Sequence, residues 1–193
     1  MVTTSPLTNL ALALRNRPAT GPKISRTIVL GGAWGLGTKN ASTDWTTPRS
    51  SEASLIVPGA GAPIALIPRG ATAPVFEVTA LSGPVAEFAV KLLRSLRTTH
   101  QECCLFGTID MPLNDPLALL VAANPAVSQT VPAHIDIELS GHLTYGQTVI
   151  DFDCKSGRPP NRDIVIEFDV DLTRQAFKRA LDPVFETHSP SSQ

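Results

Sequence analysis

The segment Met111-Pro112-Leu113-Asn114-Asp115-Pro116-Leu117-Ala118 sets one carboxylate at the mouth of a helix. Asp can cap free backbone amides, and Pro116 tolerates the first helical position. Asn114, beside Asp115, carries an amide, which has no proton to give at neutral pH and cannot serve as a general acid.

Two other groupings imitate chemistry. Gly32-Ala33-Trp34-Gly35-Leu36-Gly37-Thr38-Lys39 has the glycine spacing of a phosphate loop, but Thr38 and Lys39 stand in reverse order and a polar stretch follows where a helix should open. Gly35-Leu36-Gly37 leads to Asn40 where a dinucleotide fingerprint needs Gly or Ala. His100 lies three residues before the adjacent Cys103 and Cys104, and Cys154 is far away. Without a second ligand pair these thiols are expected to pack as small hydrophobes rather than to hold zinc.

Six collinear segments carry a resemblance. They are Ser5-Pro6-Leu7-Thr8-Asn9-Leu10-Ala11, Ile28-Val29-Leu30-Gly31-Gly32-Ala33-Trp34-Gly35, the Asn114-Asp115 segment, Pro132-Ala133-His134-Ile135-Asp136-Ile137-Glu138, and Leu143-Thr144-Tyr145-Gly146-Gln147-Thr148-Val149-Ile150-Asp151, with Gly157-Arg158-Pro159-Pro160-Asn161 following the last. Together they resemble the inosine-uridine-preferring nucleoside hydrolases, which use calcium to split ribonucleosides into ribose and free base. The resemblance implies that Asp115 and the backbone carbonyl of Thr8 are calcium ligands, and that Asn114 stands in the place of the family's proton-donating His. It also implies that Leu30, Thr38 and the triplet Asp44-Trp45-Thr46 line the ribose, with Thr38, Asp44 and Thr46 replacing the family's Asn, Glu and Asn.

The family's opening Asp-x-Asp-Pro-Gly-x-Asp-Asp cluster, which supplies most calcium ligands, has no counterpart here. The chain is therefore expected to be a truncated relative, or a fragment of a longer active enzyme, that lacks about the first third of a typical member. One carboxylate and one carbonyl leave most of a six-to-eight-oxygen shell to water, so weak calcium binding is expected. The expected function is nucleoside hydrolysis, impaired or absent in the isolated chain. A non-catalytic binding module is the alternative.

These residues need a frame. Leu7, Leu10, Ala11 and Leu14 recur at helical spacing after Ser5-Pro6 and stop at Pro18. Thr8 also has a plain reading as a first-turn residue. Thr27 to Leu30 and Pro63 to Ile67 read as buried strands, and Thr38 to Ser51 as a loop over the site. Ser51 to Val57 reads as a short helix, and Val85 to Leu96 as an amphipathic one. A further helix starts at Pro116. Ile135, Ile137 and Leu139 alternate with charges as a half-buried strand, Val149 to Phe152 and Ile164 to Val170 read as strands, and Leu172 to Phe185 as a closing helix. This alternation predicts an α/β fold, a largely parallel sheet flanked by helices with antiparallel strands near the C-terminus, which is the Rossmann-like arrangement the resemblance implies. Residues 1–188 are read as one domain and 189–193 as a disordered tail. In such sheets ligands gather beyond the carboxyl ends of the strands, so Gly31-Gly32 and Asn114-Asp115 are expected to share a crevice.

The composition limits the partners. With 42% apolar and 17% charged residues over 193, the chain is globular and long enough to bury about 70% of its unfolded surface. A net charge of -1 with no basic stripe gives no reason to expect nucleic acid or an anionic membrane. The longest apolar run, Leu117 to Ala123, is too short to cross a bilayer, and the start lacks the pattern of a signal peptide, so a cytoplasmic setting is expected. A sheet without its early strands would bare an edge, which predicts a homo-oligomer. The expected partner is a ribonucleoside.

Overall fold

The computed structural model describes residues 1–34, 50–71, 87–92, 94–95, 98 and 114–181. Contacts concentrate in two compact units, one of residues 1–73 and 113–170, the other of residues 74–112 and 171–193. The first unit holds a six-stranded sheet ordered β1-β2-β3-β6-β4-β5. Its strands are β1 (Val2–Thr3), β2 (Thr27–Leu30), β3 (Ile64–Ile67), β4 (Ser128–Ile137), β5 (Thr148–Asp151) and β6 (Arg162–Phe168). β1, β2, β3 and β6 run parallel, with Val29 beside Leu66 and Leu66 beside Ile164. β4 is antiparallel to both its neighbours, β6 and β5. The predicted α/β class, with antiparallel strands toward the C-terminus, is the one observed.

Period-2 alternation assigns the two faces of this sheet. Val29, Ile64, Leu66, Ile164, Ala133 and Ile135 point to one side. There they meet Leu7, Ala11 and Leu14 of the segment running into α1 (Thr8–Asn16), and Ala53 and Val57 of α2 (Ser51–Gly59). Val57 and Ile164 are fully buried, and burying a side chain of this size stabilises by about 1.5–3 kcal/mol. Ile28, between Thr27 and Val29, points to the other side. α3 (Asn114–Ala123) packs on β1 and β2, and its buried Leu117, Ala118 and Val121 stand apart from the α1–α2 cluster, which places it against the face that Ile28 presents.

Two helix starts differ from their sequence reading. α1 begins at Thr8 with Leu7 as its N-cap, and the Leu7 amide is bonded by the Ser50 hydroxyl at 3.1 Å, so a residue from the mouth of α2 closes the mouth of α1 in place of Ser5. α3 begins at Asn114, which puts Asp115 inside the first turn rather than at the cap. The boundary moves by about one residue, a usual uncertainty for helix ends. In the second unit, residues 87–92 are helical, and Phe88 and Leu92 of the amphipathic stripe are exposed at 68% and 47%. The closing helix α4 (Val170–Leu181) carries Asp171 in its first turn and Lys178 and Arg179 in its last, the order that favours the helix dipole.

Candidate functional site

At the carboxyl end of β2 the chain leaves the sheet through Gly31 and Gly32. Gly32 has φ +80, which a side chain rarely tolerates, and a Cβ built there would lie 2.7 Å from the Thr148 hydroxyl. The backbone is thus held close to β5, and Arg69 N–H donates to the Gly32 carbonyl at 3.0 Å. Around this turn opens a cleft of about 500 Å³ of empty space, part of it open to solvent. Leu30, Gly31 and Gly32 form one wall, Ser5, Leu7, Ser50 and Ser54 another, and Ile135, Ile137, Thr148 and Arg162 close it.

The sequence candidates divide among three places. Leu30 lines this cleft. Thr38, Asp44, Trp45 and Thr46 lie outside the described residues. Thr8, Asn114 and Asp115 begin two helices, α1 and α3, and none of the three lines this cleft. The reason is the layering, because α3 sits on the sheet face opposite α1 and α2. Thr8 and Asp115 are exposed, and the Asp115 carboxylate has no hydrogen bond or ion pair among the described residues. Asn114 is half-buried, and its Oδ1 is enclosed with no hydrogen-bond partner.

The fit to calcium follows from the donors. Calcium takes six to eight oxygens, mostly carboxylates and carbonyls. Asp115 gives one carboxylate and Thr8 one carbonyl, and among the described residues no three His, Cys, Asp or Glu side chains gather. Among the described residues this donor set does not complete a calcium shell.

Residues that the sequence did not single out bound the cleft. Arg162 opens β6 on the inward face, level with Ile64, and is only 9% exposed. Its Nη1 donates to the Asn161 carbonyl at 2.7 Å, and no carboxylate pairs with it among the described residues. Burial pulls its guanidinium down to about 10. The alternation of Ile164 and Phe168 was the available signal, since it places Arg162 on the same inward row. Thr148, level with Ile137, has a buried hydroxyl without a partner.

Beside the cleft, the β4–β5 region is braced by side chains. The Asn161 amide accepts from Ile135 N–H and donates to Ile135 C=O, both at 2.9 Å. Asp136 pairs with Arg158. His134 Nδ1 donates to the Pro159 carbonyl at 2.7 Å, which gives that ring a holding role. Asp151 accepts from Ser156 N–H at 2.7 Å and Lys155 N–H at 2.9 Å, and the Ser156 hydroxyl, foremost, together with these two amides holds its carboxyl below the ordinary aspartate value.

With this geometry, similarity to known proteins can be read. A sequence profile described as inosine-uridine preferring nucleoside hydrolase matches residues 1–175. The pyrimidine-specific ribonucleoside hydrolase RihA of Salmonella schwarzengrund is 29% identical over 189 residues, covering 92% of this chain and 60% of that protein. The chain thus spans about three-fifths of the curated relative it matches. Among solved structures, a purine-preferring ribonucleoside hydrolase from Gardnerella vaginalis superposes with a TM-score of 0.80 at 23% identity, over 93% of this chain and 59% of that one. A plant nucleoside hydrolase does so with 0.81 at 21%, over 93% and 60%. At such identities the superpositions establish the fold, and the profile, reaching from β1 into α4, establishes kinship: the chain belongs to the inosine-uridine preferring nucleoside hydrolase family.

Proposed function

We propose that this chain is a ribonucleoside-handling member of its family whose hydrolysis of the N-glycosidic bond is slow or absent when it acts alone. The observation that carries the reading is Asn114. It opens α3 beside Asp115, in the place the family gives to its acid, and its amide can donate a hydrogen bond to a departing base without transferring a proton. Loss of general acid assistance removes about two to four orders of magnitude in rate. The sparse donor set at Asp115 and Thr8 works in the same direction, because an anomeric carbon needs an activated water and a stabilised oxocarbenium-like state.

The ribose is assigned to Leu30 with Thr38, Asp44, Trp45 and Thr46, on the strength of their order in the chain. The exposed thiol of Cys154 suits a reducing cytoplasm. Self-association through a sheet edge completes the reading, since β1 is two residues long and forms one edge of the described sheet. The test is turnover of inosine and uridine, with calcium and with chelator, followed by release of free base. Binding without turnover supports the proposal, and turnover at a rate comparable to that of a full-length relative overturns it.

A further inference from the structure

We propose that the cleft between β2, β3 and α2 is a binding site for a small oxyanion, a carboxylate or a phosphate group, held by Arg162 and Thr148. The inference is separate from nucleoside hydrolysis and needs neither Asn114 nor a metal.

A guanidinium has five N–H donors and stays charged at neutral pH. Arg162 uses one of its donors, on the Asn161 carbonyl, and is nine-tenths buried on the core face of the sheet. A buried cation without a counter-charge is costly, and proteins normally meet it with a carboxylate or a bound anion. No acidic side chain fills that role among the described residues, and Ile64, level with Arg162, lines the same cleft with Leu66 and Ile135. The cleft therefore sets a positive charge among apolar side chains.

Thr148 supplies a second, independent sign of a missing ligand. Its hydroxyl is buried, lines the same cleft and has no hydrogen-bond partner among the described residues. Gly32 allows the backbone to come close to that hydroxyl, where a Cβ would exclude it. An oxyanion bound between them would accept from the guanidinium and from the hydroxyl, giving the charge the counter-charge, and the hydroxyl the acceptor, that neither has among the described residues. Charge-assisted bonds of this kind are the stronger class, and guanidinium matches the planar or tetrahedral oxygens of carboxylate and phosphate.

The cleft has about 500 Å³ of empty space, part of it open to solvent, which is ample for one ionic group. The open part leaves room for the remainder of a longer ligand to extend past Ser5 and Ser54.

The probes are inorganic phosphate and acetate, titrated into the full 193-residue chain against chloride at matched ionic strength and followed by calorimetry and melting temperature. Saturable heat and a rise in Tm with phosphate alone identify a phosphoryl ligand; with acetate alone, a carboxylate; with both, a general oxyanion site. Arg162→Met should weaken binding by about tenfold or more, and Arg162→Lys should retain part of it. Thr148→Val should weaken it by a smaller factor. Absence of saturable binding in the wild type overturns the proposal, as does equal binding in Arg162→Met. Should Arg162→Met fail to fold, Thr148→Val decides, and unchanged affinity in that variant overturns it. None of these readouts involves a nucleoside, so the outcome stands whether or not the chain is a slow hydrolase.

Discussion

The Tyr145 hydroxyl donates to Glu52 Oε1 at 2.6 Å, joining residues 93 apart in the chain. The bond ties the first turn of α2 to the loop between β4 and β5, the two elements that flank the cleft. It holds the Glu52 carboxyl below its ordinary 4.5 and the Tyr145 phenol above its ordinary 10. For the carboxyl, a lowered folded value means stabilisation that is complete above about pH 4.5 and is lost as pH falls through the folded value. For the phenol, the contribution is complete below about pH 10 and is lost as pH rises through the raised value. Tyr145→Phe should therefore melt below the wild type at neutral pH, with the gap closing as pH falls through the lowered Glu52 value. Melts across that range check it, and a gap that persists at low pH would assign the effect to packing.

Arg162→Met should raise stability in anion-free buffer. The folded chain holds this guanidinium at about 10, well below its ordinary value, so the penalty is constant below about pH 10 and is on the order of a few kcal/mol. Chemical denaturation at pH 7 measures the gain. A loss of more than about 1 kcal/mol would show that the bond to the Asn161 carbonyl outweighs the uncompensated charge.

Asn114→His should not restore hydrolysis by itself, because it replaces the proton donor and leaves the sparse donor set at Asp115 unchanged. Base release from inosine should stay at least about two orders of magnitude below that of a full-length relative. A large gain in this single variant would mean that the remaining chemistry is intact.

Asp115 lies inside the first turn of α3, so its charge matters more than its capping geometry. Asp115→Asn and Asp115→Ala should each cost about 0.5 kcal/mol through the helix dipole. Calcium should shift the wild-type melting temperature only slightly. A rise of several degrees that both variants abolish would establish a working metal site.

Gly32→Ala should cost about 1–3 kcal/mol, since it combines a left-handed φ with a contact 2.7 Å from the Thr148 hydroxyl. Thr148→Ala in the same chain should recover only the contact part. A double-mutant cycle separates the two, and full recovery would mean that the backbone conformation carries no strain.

The chain's alternating apolar residues made the sheet legible. Thr27 to Leu30 and Ile64 to Ile67 are strands as expected, and Ile135 and Ile137 lie on a strand with Asp136 between them. Asn114 and Asp115 were legible as a helix start to within one residue. Arg162 was not, because a lone Arg opening a strand has no motif and its burial comes from which strand lies beside it. The Tyr145–Glu52 bond was equally hidden, since its spacing carries no local period. The layering also escaped the sequence. Local pattern tells that α1, α2 and α3 exist but not that α3 takes the face presented by Ile28, and that choice separates Asp115 from the cleft.

The amide of Asn161 stands beside Ile135 as a peptide group would, giving and taking one hydrogen bond at the point where β4 leaves β6 for β5. A side chain therefore continues the ladder across a seam between two strand pairings. Opening of the β4–β5 hairpin is then coupled to opening of the central sheet, and the two exchange their amide hydrogens as one cooperative unit for as long as that single amide is in place.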